Sequence, residues 1–504
     1  MTSIKIKNLF LIPEKILSPY AAVIAPLLLL LWAFSFRYLS FGDPLLHDDT
    51  NWYLYVGGQM LHGHFPYVDI WDRKPFGHFL LYAPFTFFGA YRYWVFYITI
   101  TLIAWLSSCL IYKIGRELTT KLGAFVGALF YCPLFNQYDG YAGREAIFFN
   151  LIILIAFGLV LLRFERLQTN YTLLKKTAFE AMILFGICIE IKPTVVVDGI
   201  FLGCFFLYLC WQHQKSLTDI LSNGVLWISL ALFPTTLIAL IYALEGYWQE
   251  WYFANVISCF KQQKAYCIHA YYNWLFVFLT AFISFALAWI QAYLTKDTKR
   301  QKLLSFIALW GLFSALFVTF EAAERRFVLA FLPILALMCA AVWQVKFLGR
   351  IPLCVVLLYV AYRGEHVIQW RASSPEKIAI YETQKRLILN HPGCLFIYNG
   401  AEIQDITPET ANCHLTRYPH PNHLGQPLEQ GALGLKDENA EIAAILAKKP
   451  TWISVGYPLL KLNKNIPENL RLQYQMVLAE LQQHYHLALT ETENEDGTGL
   501  YERN

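Results

Sequence analysis

Charge is scarce in this chain. Of its 504 residues, 15% are Asp, Glu, Lys or Arg and 57% are apolar, whereas a soluble globular chain averages about 25% and 45–50%. A disordered or solvent-bathed polypeptide needs the opposite balance and is excluded. The 11 cysteines form no paired C-x-x-C framework, so neither a zinc finger nor a disulfide-dense secreted scaffold fits. A net charge of +4 implies no nucleic-acid partner. What the chain has instead is long apolar runs and an aromatic content of 17%, which suits wide aromatic belts at a bilayer surface.

The little charge there is falls unevenly. Residues 364–504 carry 12 Lys/Arg and 17 Asp/Glu, a net of −5, and residues 1–363 carry +9. That asymmetry predicts a membrane part followed by a soluble part. A hydrocarbon core about 30 Å thick takes roughly 20 apolar residues in a helix. Eleven segments fit or come close: 20–40, 91–112, 121–137, 146–162, 177–191, 194–211, 222–244, 273–294, 303–320, 327–344 and 351–363. The last is marginal. The first reads as a retained span, because no small-residue cleavage site follows it.

Basic residues orient the spans, since they resist translocation. With Lys5, Lys7 and Lys15 in the cytoplasm, the inward connections carry Lys113, Arg116, Lys121, Arg163, Arg166, Lys175, Lys176, Lys215, Lys296, Lys299, Arg300, Lys302, Lys346 and Arg350. An odd number of spans then places residues 364–504 outside. The outward loops are 41–90, 136–145, the short IKPT between spans five and six, 245–272 and 321–326. The expected class is an all-α polytopic membrane domain over 1–363, followed by a small extracytoplasmic α/β domain over 364–504. In that second domain Ser373-Ser374-Pro375-Glu376 reads as a capped helix start. CLFIYNG (394–400) and TWISV (451–455) read as buried strands, DENAEIAAILAKK and PENLRLQYQMVLAELQQ as helices, and the C-terminal stretch as a hairpin. No glycine-rich nucleotide loop opens these helices. Cys394 and Cys413 lie in this domain, and Cys259 and Cys267 in the fourth outward loop. An oxidising compartment permits disulfides among them, with buried free thiols the alternative.

The outward loops gather acids and cations. Asp48 and Asp49 precede an amphipathic stretch that Gly63 should end. An Asp there ordinarily caps a helix, but two adjacent acids at a membrane surface point further, to function. In Trp71-Asp72-Arg73-Lys74-Pro75-Phe76, Pro75 is placed to open a helix whose unpaired N–H groups attract phosphate. Lys74 adds a point charge and Arg73 a fork. Lys192-Pro193 repeats the device; a snorkelling interfacial lysine is the plainer reading of either pair alone. Asp139, Arg144 and Glu145 fall in the second outward loop, where Arg144 could simply neutralise Glu145. Glu321, Glu324, Arg325 and Arg326 fall in the fifth. Carboxylates can serve as base or hold an acceptor, and cations can hold a phosphate leaving group.

These motifs resemble the GT-C membrane glycosyltransferases that use polyprenyl-phosphate sugars, in particular the protein O-mannosyltransferase-like and lipid A aminoarabinose transferase-like branch. Asp48-Asp49-Thr50 stands where that family has an acidic pair after its first span. The run GHFPYVDIWDRKPFGHFLLYAP resembles its G-x-x-P-Y-x-D…K-P-P-L-x-Y segment, with Phe76 replacing the second proline. Gly143-Arg144-Glu145 and Glu324-Arg325-Arg326-Phe327 fall where its second acidic motif and its R-F segment lie. The likeness covers roughly residues 20–345, and no C-terminal motif matches an activity.

The resemblance implies an inverting glycosyltransferase of the cytoplasmic (inner) membrane. It would move a sugar from a polyprenyl-phosphate donor to a glycan, lipid or protein acceptor at the outer face. It makes Asp48 the base, Asp49 its support, Glu145 the second acid and Lys74 the phosphate contact, with Arg325 and Arg326 in the same role. Arg73, Asp139 and Lys192 complete the expected substrate-binding set. No cofactor is required by this chemistry, though Asp48 and Asp49 could bind a divalent metal through oxygen. A polytopic transporter, a polysaccharide ligase or polymerase, and a non-catalytic carrier-binding protein are the alternatives. A transporter would place ionisable residues at the bilayer midplane in repeated halves, whereas these acids cluster in loops.

Overall fold

The apolar runs become helices whose ends are set by local chemistry. The structure is a computed structural model and describes residues 21–263, 268–321, 325–398, 413, 415–457, 468–490 and 497–504. In chain order the main helices are α1 (Ala21–Ser35), α2 (Asp48–Leu61), α3 (Phe76–Thr86), α4 (Arg92–Gly115), α5 (Lys121–Leu129), α6 (Ala146–Leu161), α7 (Tyr171–Ile189), α8 (Val196–Gln212), α9 (Leu217–Leu244), α10 (Ile268–Leu294), α11 (Thr298–Glu321), α12 (Leu332–Val342), α13 (Lys346–Arg371), α14 (Pro375–Asn390), α15 (Glu438–Ala447) and α16 (Glu468–His484). Each of the eleven apolar segments of the sequence overlaps one of these, although 121–137 runs beyond α5 through the short helix Tyr131–Phe135 into a kinked turn at 136–140, and 327–344 opens in the 3₁₀ turn Arg325–Phe331 before α12. Several run further than hydropathy alone predicts, α7 and α13 among them. Helix α7 starts at Tyr171 because Asn170 caps it, accepting from Leu173 N at 2.9 Å. Helix α13 continues through Arg363 to Arg371; Gly364 within it lets the helix pack closely, since a Cβ there would lie 2.7 Å from the Pro133 carbonyl oxygen, and the helix ends ahead of Ser374-Pro375. The marginal eleventh segment is thus a 26-residue helix.

Among the described residues, five helical segments are long and apolar enough to cross a membrane by length and composition, Leu217–Leu244 among them. Along α9, Leu221, Val225, Ile228 and Phe233 each expose more than half of their surface. Such a face is stable only against hydrocarbon. The chain is an all-α polytopic membrane protein that also carries a small sheet domain.

The chain divides into two compact units. Unit 1 holds residues 1–41, 96–235 and 266–371. In it α5 packs on α12, α6 on α7, and α10 on both α11 and α12. Small residues allow the closest crossing: a Cβ on Gly127 would stand 2.5 Å from Ala340 Cβ and 2.8 Å from the Ala336 carbonyl oxygen. Backbones that meet this way gain dispersion and exclude lipid.

Unit 2 holds residues 42–95, 236–265 and 372–504. Helices α2 and α3 pack through Gly57, whose Cβ would lie 2.7 Å from Ala83 N. The sheet has strands β1 (Leu395–Ile397), β2 (Trp452–Tyr457), β3 (Tyr485–Thr490) and β4 (Gly497–Arg503) in the order β1-β2-β4-β3. The β1–β2 pair is parallel and the other two are antiparallel. Helix α14, capped by Ser374, covers the sheet. Tyr381 and Ile388 join Leu395, Ile397, Trp452 and Leu500 in one core. The α/β domain expected from the sequence is therefore present, and the loop of its terminal hairpin lies outside the described residues.

Cys394 and Cys413 form a disulfide, with Cα atoms 5.4 Å apart, within the range such bonds need. Cys259 is exposed, and Cys267 lies outside the described residues. On alkylation of the denatured chain, Cys394 and Cys413 should be labelled only after reduction, and in Cys394→Ser the Cys413 thiol should be labelled without reductant. Equal labelling in the wild type would contradict the pairing.

Candidate active site

The first group of predicted residues sits in unit 2. His47 caps α2 and its Nδ1 accepts from Asp49 N at 3.1 Å. Asp48 and Asp49 are therefore not the cap but the first turn, where the helix dipole favours negative charge. Asp48 Oδ1 stands 3.2 Å from His47 Nδ1. His47, Asp48 and Asp49 each offer one ligand atom, all within 4.8 Å of one another. One imidazole nitrogen and two carboxylates form a donor set able to take a divalent cation.

The turn 72–75 is built around a carboxylate that sequence reasoning did not single out. Asp72 is buried and accepts from Trp52 Nε1 at 2.5 Å, Arg73 N at 2.5 Å and Lys74 N at 3.0 Å. Burial by itself would raise this carboxyl. The Lys74 ammonium, His423, the Trp52 indole and His420 outweigh it and hold Asp72 well below the usual carboxylate range. Pro75 occupies the cap position and α3 starts at Phe76, one residue later than expected. Lys74 Nζ lies 5.6 Å above the Tyr53 ring. Arg73, expected to fork a phosphate, places its guanidinium on Glu429 in bidentate fashion. Its Nε also donates to Ser258 Oγ at 3.2 Å, and Gln262 Nε2 donates to Glu429 Oε1 at 2.8 Å.

Two histidines complete this group. His420 and His423 meet the Trp52 ring edge-on at 4.7 and 5.8 Å and each other at 4.8 Å. Burial lowers His420 against the opposing pull of Asp49, Asp72 and Asp48, and burial together with His420 drives His423 well below its ordinary value. Both rings are neutral near pH 7, so Lys74 and the indole carry the effect on Asp72. His423 Nδ1 is buried without a hydrogen-bond partner. The only sequence signal was local: the Pro-His-Pro-Asn-His run at 419–423 is dense in ring nitrogens but follows no known ligand spacing.

The second group sits in unit 1. Arg144 does not neutralise Glu145. Its Nη2 pairs with Asp139 Oδ2 at 2.8 Å and its Nε donates to the Asp139 carbonyl at 3.0 Å, an arrangement that the left-handed backbone of Asp139 (φ 69°) makes reachable. Glu145 instead faces Lys192, with Nζ 3.2 Å from Oε1. Pro193 opens the short helical turn that leads into α8, as the Lys-Pro pattern predicts. Arg144, Glu145, Lys192 and Arg326 line one small pocket of about 40 Å³ together with Asp198 and Ser314. Asp198, also missed in the sequence, is in the first turn of α8 and accepts from Trp310 Nε1 at 2.7 Å and Ser314 Oγ at 2.9 Å. The second, third and fifth outward loops of the sequence reading thus converge at one end of unit 1. The backbone of Arg325 is described, but its side chain, that of Glu321 and all of Glu324 lie outside the described residues.

No protein-family profile matches the sequence, and no curated protein sequence matches it. Solved structures do. The archaeal oligosaccharyltransferase AglB from Archaeoglobus fulgidus, in complex with an inhibitory peptide and a dolichol-phosphate, superposes with a TM-score of 0.53 at 12% identity, over 87% of this chain and 69% of that one. Its apo form gives 0.51 at 10% identity, over 86% and 69%. The chain has the GT-C fold. A weaker likeness, TM-score 0.49 at 12% identity over 90% and 84%, is to ArnT from Cupriavidus metallidurans bound to undecaprenyl phosphate. In GT-C terms, unit 1 holds the bulk of the apolar helices, and unit 2 holds the acidic pair and the sheet.

Two outcomes follow from the site's electrostatics. Arg73→Ala leaves Glu429 buried and uncompensated and should cost roughly 3–5 kcal/mol; Glu429→Gln in the same chain should recover part of that, read as the denaturation midpoint of the purified protein. A double variant no more stable than the single one would contradict the pairing. The second concerns pH. Unfolded imidazoles titrate near 6.5, and the folded His420 and His423 lie lower. Their contribution is full above that value and is lost as pH falls below it, while Asp72 acts only in the far lower carboxylate range. Thermal stability should fall as pH drops from about 7 to 5, and the slope should flatten in His420→Asn/His423→Asn. An unchanged slope would refute the buried neutral pair.

Proposed function

We propose that this protein is a glycosyltransferase that moves a sugar from a polyprenyl-phosphate donor to an acceptor at the outer face of the cytoplasmic membrane. One observation carries the reading. Trp52, on the same helix as Asp48 and Asp49, donates to Asp72, whose carboxylate also accepts from Lys74 N. Acids and a cation therefore share one locus inside a GT-C fold. A base beside a phosphate-holding charge is what glycosyl transfer from a lipid phosphate requires. The donor class is supported by the dolichol-phosphate bound to the similar archaeal oligosaccharyltransferase.

In this reading a hydroxyl or amine of the acceptor attacks the anomeric carbon of the sugar. Asp48 takes the proton as the bond forms. The bond from the anomeric carbon to the phosphate oxygen breaks, and the polyprenyl phosphate leaves as an anion that needs no general acid. Lys74 and the positive end of the α3 dipole balance its charge. Direct displacement inverts the anomeric centre, as it does in hydrolases with one base opposite the leaving group. Asp49 supports Asp48. In unit 1, the Lys192 and Arg326 pocket is an anion site for the same class of headgroup, with Glu145 and Asp139 orienting its cations, and Arg325 is the remaining candidate there. Arg73 acts by fixing the turn that presents Lys74. A divalent cation at His47, Asp48 and Asp49 would supply charge compensation when bound; the steps above are carried by the chain's own residues.

The N-terminus is cytoplasmic in this reading, residues 1–363 form the transferase domain, and residues 364–504 lie outside. The Cys394–Cys413 bond supports that placement, because such bonds persist in oxidising compartments. A transporter is not favoured: Glu145 stands at the entry of α6 and Asp198 in the first turn of α8, away from a midplane site.

Asp48→Asn should reduce transfer by about 10²–10⁴-fold with expression unchanged, measured as labelled sugar moved from polyprenyl phosphate in membranes. Full activity would remove Asp48 from the mechanism. Lys74→Ala should weaken polyprenyl-phosphate binding by about 1.5–3 kcal/mol and leave acceptor affinity nearly intact; the reverse split would overturn its role.

A further inference from the structure

Unit 1 contains a second and far larger cavity, of about 650 Å³, that shares no lining residue with the Lys192 pocket. Helices α10, α12 and α13 form its walls. Along α13 the lining runs from Leu348 to Arg363, a rise of about 22 Å at 1.5 Å per residue. The cavity opens sideways, since Phe276, Leu348 and Tyr359, which line it, are 70%, 80% and 58% exposed. Beside a membrane-spanning bundle, such an opening meets lipid rather than water.

The cavity is polar at one end and apolar at the other. Gln137 and Tyr138 stand where the third span ends. Trp274 lies near the start of α10 and Arg363 near the end of α13. Chain direction puts all four at the same end of the unit. Val342, Val345 and Leu348 line the other end. Three polar atoms at the first end are buried without a hydrogen-bond partner: Gln137 Oε1, Trp274 Nε1 and Arg363 Nε. The Trp274 side chain is only 1% exposed. These atoms do not reach the cavity surface; what the lining offers a ligand at this end is the Arg363 cation, so an anionic headgroup is favoured there.

We propose that this cavity binds one acyl-chain lipid with an anionic headgroup: chains along α12 and α13, phosphate on the Arg363 guanidinium. A carrier held by the Lys192 pocket would not have its headgroup here, because the two pockets share no lining residue. The loop 136–145 lies between them in sequence, with Gln137 and Tyr138 on the cavity and Arg144 and Glu145 on the pocket. The site stands independently of the transferase reading; under that reading, it is where a lipid acceptor would present its headgroup.

The test is native mass spectrometry of the full chain released from nanodiscs of phosphatidylcholine doped with phosphatidylglycerol. A parallel titration uses decaprenyl phosphate. The wild type should retain one phosphatidylglycerol in preference to phosphatidylcholine. Arg363→Gln should lose most of that preference, by about tenfold, and Ser284→Trp should block retention by filling the cavity. Neither should change decaprenyl phosphate binding, which Lys192→Ala should weaken. Lipid retained without headgroup preference would overturn the site. So would decaprenyl phosphate binding that falls in Arg363→Gln, since the cavity would then be the carrier's own tail groove. Loss of decaprenyl phosphate binding in no variant would count against the Lys192 pocket and leave the cavity standing.

Discussion

A buried carboxylate cannot stay charged unless the protein surrounds it with donors, and in unit 2 much follows from meeting that demand at Asp72. Trp52 comes from α2, and the two backbone N–H groups come from the turn that leads into α3. By satisfying one oxygen pair, the chain fixes the helix that begins with Asp48 and Asp49 against the turn that carries Lys74. The close α2–α3 crossing at Gly57 makes that joint stiff. Preorganised charge of this kind needs no rearrangement at the moment of reaction. The ion pair of Arg73 and Glu429 ties residues far apart in sequence to the same turn. His420 and His423 close over Trp52 from the C-terminal segment. The C-terminal segment therefore builds part of the candidate site, although no motif in it pointed to an activity.

Unit 1 answers the same demand differently. Here the acids and cations pair among themselves: Glu145 with Lys192, Asp139 with Arg144, and Asp198 with an indole and a hydroxyl. Ionisable groups near a bilayer are costly unless so paired. Arg144 and Glu145 are adjacent in sequence, yet they point to different partners. A helix start turns neighbouring side chains apart, and the left-handed Asp139 brings its carboxylate back to Arg144.

Much of the fold was legible in the sequence because a bilayer enforces simple rules. Long apolar runs favour helix, and all eleven overlap helices in the structure, with 121–137 broken by the kink at 136–140. Strand and helix assignments in the C-terminal part also held, since buried strands such as Leu395–Ile397 and capped helices such as α14 carry strong local signals. The site was legible only in part. Asp48, Asp49, Lys74, Glu145 and Lys192 announce themselves as charges between apolar runs. Asp72, Asp198, His420 and His423 do not, because their meaning lies in partners 20 to more than 300 residues away. Arg73 shows the converse: its fork was visible, and that a carboxylate from residue 429 would occupy it was not.

The central claim is that this chain transfers a lipid-linked sugar outside the membrane. Mass spectrometry of glycolipids, polysaccharides and glycoproteins from cells with and without the gene tests it most directly. The account predicts that one sugar disappears from an extracytoplasmic acceptor while its polyprenyl-phosphate-linked form accumulates. Unchanged glycans with an unchanged lipid-linked pool would contradict it.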